Sequence, residues 1–282
     1  MPRLLLEMGF FVVTQSKTVH SVPQPRAAFK FSWRWIWGPT SLLAFLLIWT
    51  VAAAWSGLPA FILPGPAAVG ERWTAIALDG TLWRHTWATL SQILVGLALG
   101  LSVAFGLGYA IARSSRLERA LTPYIVASQA VPVVALAPLI VIWFGSGLLA
   151  KALICALIVF FPALVNTLVG LRSIAPELRD LMRVYRATRW QTLVALEIPA
   201  AMPVLIGGLK IGATLAVIGA VVGEYVGSDR GLGYLINFAR GTYDTPLVIA
   251  GVLTLVVLAL GLYGAVAWLE ARTVGWARHP QR

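Results

Sequence analysis

Glu224 is the acid that most demands an explanation. It follows the uncharged apolar stretch Ile211 to Gly223, and a carboxylate at or near bilayer depth is costly and tends to face a cavity or a partner. Two readings stand. It serves as a gate or in a structural ion pair, with Arg230 or Arg240 as candidate partner, or it is an ordinary acid solvated at the end of its helix. Other chemistry is sparse. The single Cys155 and the scattered His20, His85 and His279 make neither a disulfide framework nor a metal cluster within one chain. No paired carboxylates or nucleophile accompany them within the apolar stretches, which argues against a membrane-embedded enzyme. The chain has no Gly-Lys dipeptide and hence no phosphate loop of the G-x-x-x-x-G-K-[ST] form. No cofactor is expected to bind it.

The richest local pattern is Pro176 to Pro199, PELRDLMRVYRATRWQTLVALEIP. It is too charged to span a bilayer. Arg179, Arg183 and Arg186 fall at i, i+4 and i+7 on one helical face, and Leu178, Leu181, Met182 and Tyr185 form a more apolar one. Pro176 suits a first helical turn. Thr188-Arg189-Trp190-Gln191 has the form of a capping box, so a second helix is predicted from Arg189 to about Glu197, ended by Pro199. Two short helices around a tight turn suit docking in a groove of a partner. The competing reading is an amphipathic hairpin lying on anionic lipid.

These residues need elements to hold them, and composition says in what solvent. The chain has 59% hydrophobic and 12% charged residues with mean hydropathy +0.82, outside the balance of a soluble domain. A crossing helix needs roughly 20 mostly apolar residues. Such stretches occur at Pro39 to Gly57, His85 to Ala112, Ala120 to Ala150, Ala152 to Leu171, Pro203 to Tyr225 and Pro246 to Leu269. The prediction is an all-α, polytopic membrane protein of about six transmembrane helices: residues 1–38 as an N-terminal segment, 39–270 as the membrane domain and 271–282 as a tail. Basic loops test the count. With both termini cytoplasmic, only Arg72, Arg84, Lys151, Arg230 and Arg240 of the 22 Lys and Arg lie outside, as the positive-inside rule expects. The net charge of +11 is therefore a topology signal and does not point to nucleic acid.

Further features concern packing. Gly96 and Gly100, then Ala104 and Gly108, repeat at the small-xxx-small spacing that lets helices approach in lipid, although small residues are common in membrane helices generally. Pro123, Pro132 and Pro138 should kink or interrupt the third span. Broken helices are tolerated where protein or water satisfies the freed backbone, so Gln129 to Pro138, with Pro132 at its centre, is a candidate pathway lining. The Trp143 to Gly147 turn reads as a structural reversal ahead of a substrate contact. Leu4 to Val13 is too short to span and is left as a signal-like run, an interfacial segment or a misassigned start.

The hairpin resembles the EAA motif of ABC importer permeases. Asp180-Leu181-Met182 stands at the Glu-Ala-Ala position, Tyr185-Arg186-Ala187 at the Leu-Gly-Ala position and Ile198-Pro199 at the Leu-Pro position. The likeness extends over roughly residues 60 to 270, through Leu63-Pro64-Gly65-Pro66, Trp143-Phe144-Gly145-Ser146-Gly147, Phe160-Phe161-Pro162, Asn166-Thr167, Gly170-Leu171-Arg172 and Gly231-Leu232-Gly233-Tyr234-Leu235-Ile236. It is similar to the branch that imports sulfonates, taurine, nitrate and thiamine or riboflavin precursors, and most similar to the vitamin-precursor members. The resemblance implies a bacterial inner-membrane permease that moves a small molecule, with a second permease copy, an ABC ATPase subunit that uses the ATP and an extracytoplasmic substrate-binding protein as partners. Asp180, Tyr185, Arg186, Ala187, Thr188 and Arg189 would couple to the ATPase, and Gln129, Pro132, Asn166 and Glu224 would serve the pathway or gate. A sulfonate, taurine or nitrate importer is the alternative, and a passive channel or membrane scaffold the rival class. One departure is physical: Arg186 replaces the turn glycine, and a residue with a Cβ is strained at positive φ.

Overall fold

The computed structural model describes residues 34–59 and 61–274, with side chains from Thr40 onward except Ala60; the Leu4 to Val13 run and most of the expected tail lie outside them. The described residues form helices and no strand. In chain order these are α1 (Arg34–Trp55), α2 (Pro66–Leu78), α3 (Thr81–Ala112), α4 (Ser115–Gln129), α5 (Val133–Phe144), α6 (Leu148–Arg172), α7 (Pro176–Val184), α8 (Arg189–Thr192), a π turn (Leu193–Glu197), α9 (Ile198–Val226), α10 (Leu232–Gly241) and α11 (Thr245–Thr273). By contacts the chain divides after Leu46, within α1, and the packing and sites described below belong to the second unit.

Four described helices are long and apolar enough to cross a membrane: α3, α6, the continuous Arg189–Val226 body and α11. The pair α4 and α5, bent by 94°, makes a fifth if it is counted as one broken span. The expected first span coincides with α1, whose described apolar part, Thr40–Trp55, is shorter. The bend falls at Ala130 to Pro132, where Pro132 caps α5 in an extended conformation (φ −71°, ψ 108°). The pyrrolidine ring can neither donate to the preceding turn nor fit behind it, so the helix restarts in a new direction. Pro123 and Pro138 stay inside their helices.

The core is a three-helix layer of α3, α6 and α9, in which Ile93 and Ile111, Val159 and Leu164, and Ala213 and Ala216 are buried together. Hydrocarbon gives apolar side chains no reason to leave lipid for one another, so association there depends on close backbone approach. The small-residue stripe of α3 supplies it. A Cβ on Gly96 would lie 2.3 Å from Cys155 Cβ, and one on Gly100 would lie 2.8 Å from the Ala156 carbonyl oxygen. The stripe is therefore a seam between α3 and α6 of one chain. The matched pairs rise together along both helices, so α3 and α6 run parallel, and the bent α4–α5 pair returns the chain between them. On α9 the pairing reverses, with Gly208 against Asn166, Gly219 against Cys155 and Gly223 against Lys151. This antiparallel course puts Arg113, Arg172 and residues 176–199 at one end, and Arg84, Lys151, Glu224 and Arg230 at the other. The basic groups separated by the loop alternation thus lie at opposite ends of the bundle.

Two expectations change. Pro199 does not end the second hairpin helix: α8 continues through the π turn into α9, giving one 38-residue body, Arg189–Val226. The wider π turn alters the hydrogen-bond register just ahead of Pro199, which then sits in the first turn of α9 where no intrahelical donor is needed. Lys151, read from sequence as a loop cation, lies within α6 and is 3% exposed. α2 and α10, too short to span, both pack on α11, so that Val69, Ile76, Leu232 and Leu235 share a buried cluster with Leu247 of α11.

Candidate functional site

The hairpin at residues 176–199 is built from local rules. Thr188 Oγ1 accepts from Gln191 N at 3.2 Å and Gln191 Oε1 accepts from Thr188 N at 2.8 Å, so the expected capping box is complete. α7 ends with Arg186 N donating to Arg183 O at 2.9 Å and Ala187 N to Met182 O at 3.0 Å. That pair of bonds needs a left-handed residue between them, and Arg186 takes it at φ 51°. Arg186 thus takes the left-handed position that a glycine would occupy at least strain. Asp180 pairs with Arg183 one turn on, at 2.7 Å, well exposed to solvent. Leu181, Val184, Tyr185 and Trp190 are 49%, 79%, 76% and 71% exposed, an apolar surface on a backbone held by its own caps.

What fixes the hairpin to the bundle is Glu197, which is 2% exposed. Its Oε2 receives Arg113 Nη2 from the end of α3 at 2.9 Å, and its Oε1 faces Arg179 Nε of α7 at 3.8 Å. Arg179 also donates to the Leu171 carbonyl at the end of α6, at 2.5 Å. One buried carboxylate therefore ties α3, α7 and the root of α9. A buried charge is stable only when paired and hydrogen-bonded, so loss of one member leaves the others uncompensated. Beside it an apolar cavity of about 670 Å³ opens among Phe105, Tyr109, Leu171, Met202 and Leu205.

At the other end, Glu224 is 2% exposed. Thr89 Oγ1 donates to its Oε1 at 2.8 Å and Gly233 N to its Oε2 at 2.6 Å. Thr89 Oγ1 in turn accepts from Leu232 N at 2.8 Å, and His85 Nδ1, when unprotonated, accepts from Gly231 N at 3.0 Å. The first amides of α10 are thus met by side chains of α3 and α9, and a carboxylate complements the positive end of that helix. Gly231 permits the approach. It sits at φ 117°, and a Cβ there would lie 2.0 Å from Glu224 Oε1. Burial removes the reading of Glu224 as a solvated interfacial acid. Among the described residues it forms no ion pair with Arg230 or Arg240; Arg230 pairs with Asp229 at 3.5 Å. The nearby cation is Lys151, whose field reaches Glu224 and whose Nζ donates to Ser228 Oγ at 2.6 Å.

The remaining pathway candidates separate. Gln129 and Pro132 are exposed at the 94° bend. Asn166 lies in the α6–α9 seam, its Nδ2 donating to Pro162 O at 2.8 Å, and lines neither large cavity. The turn after Trp143 does reverse the chain, through Gly145 at φ 77°, and its Ser146 and Gly147 also line a polar cavity of about 420 Å³.

Residues 96–275, from mid-α3 to beyond α11, match the family described as binding-protein-dependent transport system inner membrane component. The chain belongs to this family. It is the multi-pass permease of an ABC importer. The riboflavin transport system permease protein RibX of Chloroflexus aurantiacus is 48% identical over 90% of this chain and 95% of that protein. The formylaminopyrimidine transport permease protein ThiX of Halalkalibacterium halodurans is 36% identical over 84% of this permease and 94% of the relative. Among solved structures, an inward-facing MetNI methionine ABC transporter superposes with a TM-score of 0.62 at 20% identity, covering 70% of this permease and 98% of the matched chain. That likeness establishes the fold.

Residue reasoning missed Thr89, Gln92, Lys151, Glu197 and Gly231 as parts of these sites. One signal was present: His85, Thr89 and Gln92 fall at i, i+4 and i+7, a polar line along an otherwise apolar helix. For Glu197 there was none, because its partners come from α3 and α7.

Proposed function

We propose that this permease carries a small heterocyclic vitamin or vitamin precursor, handed over by an extracytoplasmic binding protein, into a bacterial cytoplasm. It works as two identical copies, with a separate ATPase subunit docked on residues 176–199. In this reading the hairpin and both termini lie on the cytoplasmic side of the inner membrane. The observation that carries the docking role is the exposed apolar set Val184, Tyr185 and Trp190, displayed on a hairpin whose root is pinned by buried Glu197. Asp180, Tyr185, Arg186, Ala187, Thr188 and Arg189 form the contact. The cargo reading rests on RibX and ThiX.

The coupling follows from the continuous helix. Arg189–Val226 has 38 residues, about 57 Å at 1.5 Å per residue, and it carries the docking hairpin at one end and Glu224 at the other. Closure of an ATPase pair against the hairpin would tilt this body as a unit, changing access from one side of the membrane to the other. Gln129 and Pro132, exposed at the bend, face the pathway between the copies, while Asn166 and Glu224 hold the helices that line it.

Ala187→Glu tests the docking role, because it sets a charge in the turn between the two short helices. Membrane insertion is expected to be normal, with ATP-driven uptake of riboflavin lost and the ATPase no longer co-purifying. Normal uptake by this variant would refute the docking role, and uptake persisting in energy-depleted vesicles would favour a channel.

A further inference from the structure

The polar cavity of about 420 Å³ at the end away from the hairpin has a charge problem of its own. Its lining includes Arg84, Lys151 and Arg230 against one acid, Asp229. Asp229 is already paired with Arg230, and its own backbone N–H together with that guanidinium holds its carboxyl below the usual carboxylate range, so it is ionised at neutral pH. Lys151 lies deepest. It is 3% exposed, yet its ammonium, which has three N–H donors, makes a single hydrogen bond, to Ser228 Oγ at 2.6 Å. Among the described residues it forms no direct ion pair; the Glu224 and Asp229 carboxylates act on it only at longer range. Buried cations are normally paired, and those within membrane segments mark pathways for substrates or ions.

A second buried group also lacks a partner, and of the complementary kind, calling for an N–H or O–H donor on whatever fills the cavity. Gln92, on the cavity wall, is 3% exposed and its Oε1 has no hydrogen-bond partner. Its side chain lies beside the Glu224 carboxylate, which an amide nitrogen favours and an amide oxygen does not, so the oxygen is the atom left over. The volume is within the range of small-molecule sites, roughly 300–1,000 Å³, and Trp87, 69% exposed, offers a flat apolar wall.

We propose that this cavity is a cargo-recognition site in which Lys151, aided by Arg84, binds the oxygen-acceptor edge of the transported molecule, with Gln92 on its wall and Trp87 along its ring face. The inference rests on the cargo reading above and narrows it to molecules whose polar edge carries ring carbonyls or an oxyanion. Spare donors on a desolvated ammonium are satisfied by such oxygens at no cost in new buried charge when the oxygens are carbonyls, and with charge neutralisation when they are anionic.

The test uses the whole transporter, the permease with its ATPase and binding protein, in proteoliposomes, with initial uptake of tritiated riboflavin and separately of tritiated taurine. Two loss variants, and Lys151→Arg as the rescue, are compared with the wild type. Lys151→Met removes the donors, and Ser146→Trp fills the cavity from its exposed rim without touching the buried network. Assembly is read from monodisperse elution of the complex. Uptake at subsaturating cargo is expected to fall tenfold or more in both, with Lys151→Arg recovering part of it. If Lys151→Met does not assemble, Ser146→Trp decides alone. Riboflavin uptake within twofold of wild type in the assembled variants overturns the site and leaves the cargo reading standing. Wild-type uptake of taurine alone, lost in the variants, keeps the site and replaces the ring carbonyl by a sulfonate. A wild type that moves neither probe overturns both.

Discussion

Glu224 shows how a residue's environment decides its role. From the sequence it is a lone acid after an apolar run; in the fold it is the acceptor for Thr89 Oγ1 and for the Gly233 amide. Glu224→Ala leaves the Gly233 amide buried without a partner, at about 1–3 kcal/mol, while Thr89 keeps only its longer bond to the His85 carbonyl. The melting temperature of the purified permease in detergent should fall by several degrees. Glu224→Gln should be much milder. The amide oxygen can accept from Gly233 while its nitrogen donates to Thr89 Oγ1, whose proton then turns to the His85 carbonyl 3.2 Å away. Equal melting temperatures for wild type and Glu224→Ala would refute the structural role of these bonds. Arg186 is the opposite case. Its strain was legible because the motif puts a glycine there, and φ 51° bears this out, since the bonds that demand a left-handed residue are local to the turn.

Among elements, the α3–α6 seam carries the sharpest packing requirement. The Ala156 carbonyl lies where a side chain on Gly100 would begin, and it belongs to helix backbone that cannot rotate away. Gly100→Val should therefore separate the two helices, with a cost above the 1–3 kcal/mol typical of overpacking. The expected result is a permease that inserts but is degraded or elutes as aggregate, while Gly106→Val, at a glycine with nothing within 4 Å of a Cβ, elutes as the wild type does. Matching profiles for the two would show that the seam tolerates a shift. The stripe itself was legible from spacing, but not its partner. Likewise the proline at 132 announced a break, whereas the 94° angle came from the packing of α5 on α6 through Ala137, Ile140, Ala150 and Ile154.

For the whole molecule, the proposed coupling requires the two ends of the Arg189–Val226 body to move together. Glu197 joins that body to α3 and α7, so Glu197→Ala removes the shared acceptor of Arg113 and Arg179. Removing one partner from a buried ionic cluster typically costs about 3–5 kcal/mol. The expected outcome is a permease that still binds its ATPase, since the exposed face of the hairpin is intact, but whose ATP hydrolysis no longer drives uptake. Tight coupling in this variant, measured as molecules moved per ATP, would show that the hairpin transmits force without the anchor. Double replacement of Glu197 and Arg113 by apolar residues of similar size should recover part of the coupling, because it removes the unpaired charge as well as the pair.

Hydropathy and loop charge by themselves determined that the chain lives in lipid, that its helices cross in alternation and that residues 176–199 stand apart, because transfer free energy and caps act over one segment at a time. The capping box at Thr188 and the left-handed turn at Arg186 belong to the same class. Only the tertiary structure decided that Pro199 continues a helix, that Lys151 is buried, and that Glu224 meets Thr89 and the start of α10 where Arg230 or Arg240 were the expected partners. The last two depend on groups brought together from distant segments, Glu224 and Thr89 being 135 residues apart. Burial of that kind has no signature in the spacing of any one helix.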